Sequence, residues 1–493
     1  MNLSDLLADN ERLRADNERL RADNERLRAE NQQLRDGKVA LEKRVAQLEA
    51  DLAALKELLE TAQRRGKRQA TPFSKGEPKA APKKPGRKAG HVAAHRAIPE
   101  KVDRTAEARL PSACPGCGGA VVEDKVQIQY QIDVPRPIPV SVIQFNLHVG
   151  HCAACGQRLQ GRHPEQTSDA TGAAAVQIGP NALGLAAELK HVLGIPFGKV
   201  ARILSSATEL AISRATLARA SQRLARKCQP TYARLILRLR RGAVTHVDET
   251  GWKIGGHSAW LWVFTNDEIS LYVIDPSRAH EVVEGILGTD YAGVLVSDCF
   301  LAYDPLTCAQ SKCVAHLLRR CKELQELKSG RAVQFTRDLA HLLRAAMTLK
   351  ERGAQYSAHG YSVACGRLEA ALDRLLDRHL TDPDNARFAK TLRKQRQRLL
   401  TFLYHDAVPP TNNAAERELR PAVVVRKTGG CNRTDAGAHA HAILASVLRT
   451  CQKQGFDPVE VLKYLLHSAD TLMLDLVAKP KRGSLLPPAL APP

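Results

Sequence analysis

The sequence predicts a multidomain chain: a long coiled coil, a small cysteine-rich zinc module, a helical segment of helix-turn-helix character, and a mixed α/β domain. Three observations predict this. Leucine recurs at seven-residue intervals from Leu6 to Leu55, two Cys-x-x-Cys pairs lie at Cys114/Cys117 and Cys152/Cys155, and the hydrophobic period changes from helical to alternating after Gly242.

The bulk numbers set the class. At 493 residues and 44% hydrophobic content, the chain is long enough for several domains and at least one sizeable core. Lys and Arg total 73 against 52 Asp and Glu, a formal net charge of +21, which points to a polyanionic partner, nucleic acid first. Neither a run of about 18 apolar residues nor a charged and apolar leader is visible, so the expectation is a cytosolic protein with no membrane partner. In that compartment the 12 cysteines are expected to bind metal where they pair and to be reduced core thiols where they stand alone.

Residues 1–62 are read as the coiled coil. Leu6, Leu13, Leu20, Leu27, Leu34, Leu41, Leu48 and Leu55 occupy position d, and Leu3, Asn10, Asn17, Asn24, Asn31, Lys38, Val45 and Leu52 occupy position a. Asparagine at a favours a parallel, in-register dimer at a cost in stability. A basic leucine zipper needs its basic region before the leucines, and here the basic residues follow them. They fill residues 63–105, a Lys-, Arg-, Pro- and Gly-rich stretch without apolar period that is expected to be a disordered linker. Within it KKPGRKAGH (Lys83 to His91) either presents Arg87 and Lys88 to a narrow minor groove or touches phosphates without specificity.

Residues 106–165 carry CPGCG and HCAACG, separated by the alternating stretches VQIQYQIDV and PVSVIQFNLHVGH. Two such turns can each offer two thiolates to one tetrahedral ion, so Cys114, Cys117, Cys152 and Cys155 are the expected ligands of a structural Zn2+ in a strand-rich ribbon. A redox role would call for a βαβ context that is not there. Over residues 175–230, PFGKVARILSSA and ISRATLARASQRLARK read as two helices joined by a turn, with Ser213 capping the second. Thr216, Arg219 and Arg223 share one face and Leu217 and Leu224 the other, as in a groove-reading helix and equally in an amphipathic bundle helix.

Residues 240–430 hold the α/β pattern: AVTHVDET, AWLWVFTND and SLYVIDPS as strands, HEVVEGILG as a helix, and YAGVLVSDCFLAYD as a fourth strand. Asp248 is expected to close the first strand and Asp298 the fourth. A sheet that pairs those two strands could hold the carboxylates near enough to share two divalent ions about 3.5 to 4 Å apart. Each acid alone is more often a turn former. Downstream, PPTNNAAERELRPAVVVRK places Asn413 and Glu416 at the start of a helix. Asn413 as N-cap with Glu416 closing a capping box accounts for those two. It leaves Arg417, Arg420, Arg426 and Lys427, a set suited to clamping phosphate.

Taken in order, HVDETGW, VSDCFLAYD, CVAHLLR (Cys313 to Arg319) and NNAAERELRP resemble the transposases of the insertion-sequence-66 family, bacterial mobile elements of the DDE superfamily. The resemblance implies an RNase H-like catalytic core with Asp248, Asp298 and Glu416 as an acidic triad for two Mg2+ (or Mn2+) ions. It implies a helical insertion at about residues 322–403, filling the long gap between Asp298 and Glu416, and a C-terminal helical element and tail over 431–493. His316 and Arg319 become substrate-orienting residues, although a core histidine with a satisfied ring is the alternative for His316. Glu249 and Asp304 would replace their neighbours if the alignment were shifted. The implied activity is metal-dependent cleavage and strand transfer of double-stranded DNA at the element's terminal repeats. The implied assembly is at least a dimer, served by two small accessory proteins encoded beside it.

Overall fold

The structure, a computed structural model, describes residues 3–67, 98–172, 175–468, 470–477, 487 and 489–490. The chain divides into two compact units, Met1–Ala97 and Ile98–Pro493.

The first unit is a single helix, α1 (Leu3–Lys67). Its leucines from Leu13 to Leu55 form one stripe and are 50–72% exposed. Asn17 and Asn24 turn their side-chain amides back onto the carbonyls of Leu13 and Leu20, at 2.9 and 3.2 Å. Exposed ion pairs such as Arg26–Asp23 and Lys38–Glu42 lie along the helix and contribute little each. Arg87 and Lys88 lie outside the described residues.

In the second unit the two Cys-x-x-Cys turns are formed, but the strand-rich ribbon between them is not. Among the described residues only β1 (Val149–His151) and β2 (Arg158–Gln160) pair there, as an antiparallel hairpin around the second turn. Val126, Ile128, Tyr130, Ile132 and Val134, expected in a strand, are 43–78% exposed and belong to none. Alternation makes a strand only where a partner strand or an apolar surface meets it, and neither meets this stretch.

Three helices follow: α2 (Pro180–His191), α3 (Phe197–Thr208) and α4 (Arg214–Arg240). The Ser213 hydroxyl accepts from the Thr216 amide at 3.1 Å, the N-cap expected from sequence. Contrary to the expected stop near Lys227, α4 runs on through Pro230 to Arg240. Burial of Cys228, Tyr232, Leu235 and Leu239 in the main core outweighs the hydrogen bond that Pro230 cannot make. The helical segment and the sheet domain therefore share one core, and no boundary falls at 230–240.

That core surrounds a five-stranded sheet: β3 (Val244–Ile254), β4 (His257–Thr265), β5 (Ser270–Asp275), β6 (Val294–Ser297) and β7 (Ala309–Lys312), in the order β5-β4-β3-β6-β7. The first three strands are antiparallel, whereas β6 and β7 run parallel to β3. α5 (His280–Leu287) makes the crossover from β5 to β6. Strand alternation sends Val247, Trp262, Phe264 and Leu271 to the face covered by α4, and Leu261, Val263 and Tyr272 to the face covered by α10 (Asn413–Gly429). α11 (Asp435–Gln454) packs into the same core through Ile443, Leu444, Val447 and Leu448 and is part of the sheet domain. α12 (Pro458–His467) adds Val461, Leu462 and Leu465.

Between β7 and α10 lies the helical insertion: α6 (Val314–Leu327), α7 (Gln334–Glu351), α8 (Ala358–Leu376) and α9 (Pro383–Lys394). It has its own apolar cluster, from Leu317 through Leu343 and Leu372 to Phe402, continuous with Val294 and Val296 of β6. Among the described residues no helix is long and apolar enough to cross a membrane.

Candidate active site

The parallel ladder between β3 and β6 pairs Val244 with Val294, Thr245 with Leu295 and His246 with Val296. Two further residues along the same register set Asp248 beside Asp298, on one face of the sheet. Asp248 itself lies within β3, opposite Val263, instead of closing the strand as expected. Asp298 follows the last residue of β6, where its Oδ1 accepts from the Phe300 amide at 2.9 Å.

Glu416 comes to this face from α10. Its Oε1 lies 3.7 Å from His316 Nε2 on α6, and both side chains are about one-third exposed, at 29% and 31%. The three carboxylates are near enough to act on one another. Burial first, then the charges of Glu249 and Asp298, with Glu416 adding to them, push the Asp248 carboxyl up to about 8. Such a collection of like charges is costly unless a cation joins it. Among the described residues no three His, Cys, Asp or Glu side chains converge closely enough to grip an ion as they stand. The donor set, three carboxylates, is nevertheless that of a hard divalent cation.

Neighbouring acids are engaged elsewhere. Glu249 points to the opposite face of the sheet, where its carboxylate accepts from Arg278 at 2.7 Å and from the Tyr303 hydroxyl at 2.5 Å. Asp304 binds Lys394 at 2.6 Å and Arg398 at 3.3 Å; burial would raise its pKa, but hydrogen bonds from Lys394 and Gln395 bring it below the ordinary value. Glu418 meets Arg449 at 3.1 Å and the Tyr272 hydroxyl at 3.2 Å. Asp248, Asp298 and Glu416 are thus the acids left facing one another.

Arg417, Arg420 and Lys427 are exposed on α10, and Arg319 is exposed on α6, three residues beyond His316. Arg426, expected to hold phosphate, instead donates to Thr250 Oγ1 at 3.0 Å and to the Gly251 carbonyl, because α10 lies across β3 at that turn. Arg219 and Arg223 are exposed on α4, opposite buried Leu217 and Leu224. Asn413 is exposed in the first turn of α10, and the residue in the N-cap position is Asn412, whose side chain makes no cap. The expected capping box is absent because the Asn412 amide is drawn to β3 instead.

At the cysteine turns, hydrogen bonds from the Gly116 and Cys117 amides lower the Cys114 thiol, and those of Cys155 and Ala154 lower Cys152. Each turn thus favours a thiolate, although the two turns do not combine into a cluster of three or more ligands.

Two residues escaped the sequence reading. Lys312 is fully buried at the end of β7, where its ammonium donates to Ser297 Oγ at 3.1 Å; burial lowers its pKa to about 8. Ala309–Lys312 is too short and too polar to show as a strand. Asn412 is 1% exposed, and an adjacent identical residue masked it.

An uncharacterized protein of Sinorhizobium fredii, y4qI, is 25% identical over 232 residues, which are 42% of this chain and 43% of that protein. The chain therefore spans less than half the length of that relative. The profile of the Transposase IS66 family matches residues 175–440, from before α2 into α11 and across every strand of the main sheet. With more than half its length matched in this way, the chain belongs to the IS66 family of transposases.

Proposed function

We propose that Asp248, Asp298 and Glu416 form the catalytic site of an RNase H-like core that cuts DNA at the ends of an insertion sequence and joins those ends to a target. The observation that carries this is the extended β3–β6 register, which sets Asp248 beside Asp298 while α10 brings Glu416 to the same face. Two Mg2+ or Mn2+ ions held by these carboxylates would supply an activated oxygen nucleophile and stabilise the leaving 3′ oxygen. The nucleophile is water in the first step and the freed 3′ hydroxyl in the second; each attacks phosphorus in line as the P–O3′ bond breaks. His316, beside Glu416, orients the scissile phosphate, with Arg319 on the same helix. Exposed Arg417, Arg420 and Lys427 hold the flanking backbone.

The remaining modules supply DNA ends. Arg219 and Arg223 on α4 present a basic face to a groove, and Asn413 offers a polar contact at the start of α10, on the turn that bears Glu416. Cys114, Cys117, Cys152 and Cys155 close around one structural Zn2+. α1 pairs with a second copy through its leucine stripe, so that two ends are held by one assembly at high effective concentration. Accessory proteins encoded beside the gene would serve that assembly.

The deciding experiment is cleavage and strand transfer on labelled DNA bearing the element's ends, with Mg2+, comparing wild type with Asp298→Asn and Glu416→Gln. Both variants are expected to bind the ends and to release no 3′ ends. Wild-type nicking by either removes that residue from the site. Binding without cutting by the wild type, under any divalent metal, would favour a DNA-binding regulator.

A further inference from the structure

Glu416 arrives from the far side of the insertion, so something must fix where α10 begins relative to β3. We propose that Asn412 is the positioning residue that sets Glu416 against Asp248 and ties both to the segments bearing Asp298 and His316. This inference rests on the catalytic reading above.

Asn412 Nδ2 donates to the Val247 carbonyl at 2.8 Å, one residue before Asp248. Its Oδ1 lies 3.0 Å from His246 Nδ1. A carbonyl can only accept, so the amide orientation is fixed; Oδ1 must then receive a proton, and the His246 ring is held with hydrogen on Nδ1. One side chain therefore fastens two consecutive residues of β3. The Asn412 carbonyl accepts from the Glu416 amide at 3.2 Å, which sets the carboxylate one helical turn from the fastening.

The backbone extends the junction. The Asn412 amide donates to Cys313 Sγ at 3.1 Å, and the Cys313 amide donates to the Ser297 carbonyl at 2.8 Å, beside Asp298. The Val314 amide, at the start of the helix bearing His316, donates to the Pro410 carbonyl at 2.9 Å. Asn412 and Cys313 are both buried, with relative exposures of 1% and 0%. Water therefore cannot replace these bonds, and losing the amide leaves the Val247 carbonyl and the His246 ring without their partner. Groups that orient ligands in this way typically alter metal affinity by about 10- to 100-fold when removed.

The test is Mn2+ titration of the full chain, followed by the electron paramagnetic resonance signal of free Mn2+, with thermal midpoints recorded as a check on folding. Wild type, Asn412→Ala, Glu416→Gln, the double variant and Asp248→Asn are compared; Asn412→Ser replaces the alanine variant if that does not fold. Asn412→Ala is expected to bind Mn2+ about 10- to 100-fold more weakly than wild type, and the double variant no more weakly than Glu416→Gln alone. Affinity within about twofold of wild type, or an equal further loss in the Glu416→Gln background, overturns the positioning role, because a general loosening of the fold acts in either background. If Asp248→Asn binds Mn2+ as tightly as wild type, the catalytic reading itself fails and takes this inference with it.

Discussion

Arg278 donates to Glu249 Oε1 from both Nε and Nη2, at 3.1 and 2.7 Å, while its guanidinium lies 4.2 Å from the Trp260 ring and 3.8 Å from the Phe300 ring. Phe300 in turn donates its amide to Asp298. The acid next to Asp248 in sequence therefore braces the loop of Asp298 from the opposite face of the sheet.

Glu249→Gln is accordingly expected to lower stability by about 2 kcal/mol, the size of a charged hydrogen bond lost from a part-buried pair, and to leave Mn2+ binding within a few-fold of wild type. Denaturant melts and Mn2+ titration measure the two effects. Lost binding with unchanged stability would instead make Glu249 a ligand.

A second expectation concerns acid. His191 Nδ1 lies 2.9 Å from His441 Nδ1, His191 Nε2 lies 2.7 Å from Ser221 Oγ, and Trp252 stacks on His441 at 5.7 Å. One ring must donate to the other, so the accepting ring is neutral. Burial is the main cause that brings His441 down to about 3 and His191 well below its ordinary 6.5. Below about pH 6.5 the unfolded chain takes up protons that the folded pair refuses. Stability present above that pH is lost as pH falls toward about 3, at about 1.4 kcal/mol per pH unit for each ring. Urea melts between pH 7.5 and 5 should show His441→Asn losing less stability than wild type; equal losses would mean that the pair is not the cause.

The leucine stripe of α1 gives a third. Leu20→Glu with Leu27→Glu is expected to convert a dimer to a monomer in sedimentation equilibrium, whereas Asn17→Leu with Asn24→Leu should raise the melting temperature and loosen the choice of register. A double glutamate variant that still sediments as a dimer would place the contact elsewhere.

For the cysteine turns, one Zn2+ per chain is expected by metal analysis, and none in a Cys114→Ser, Cys152→Ser variant. Stripping the ion with a chelator should leave the melting of the sheet domain unchanged, since its core does not include the turns. A stoichiometry of zero in the wild type excludes the site.

How much of this was legible in the sequence depended on whether the signal was local. The heptads of α1, the Ser213 cap and the strand–helix order from Val244 to Ser297 are written in neighbouring residues, and that cap and those strands lie where the local pattern places them. The position of Asp248 within a long strand was missed because β3 continues on a hairpin partner, β4, beyond the acid. Pro230 and the polar Ala309–Lys312 strand were overridden or hidden by tertiary burial. Asn412 and Asn413 cannot be told apart by capping rules, since the contact that distinguishes them lies more than 160 residues away in sequence, at Val247. Residues 126–134 show the reverse case, a strong local pattern without a partner to make it a strand.

The insertion between β7 and α10 has a consequence for synthesis. The strands bearing Asp248 and Asp298 leave the ribosome well before residue 416, and chains are made at about 5 to 20 residues per second. A growing chain has its cysteine turns and the basic face of α4 emerged for many seconds before its third carboxylate exists. Closing that gap brings together residues far apart in sequence, among the slower events in folding. On the function proposed above, a nascent chain presents its DNA-contacting residues before its third carboxylate is made, and a product truncated within the insertion lacks both Glu416 and α11, which completes the core around α4.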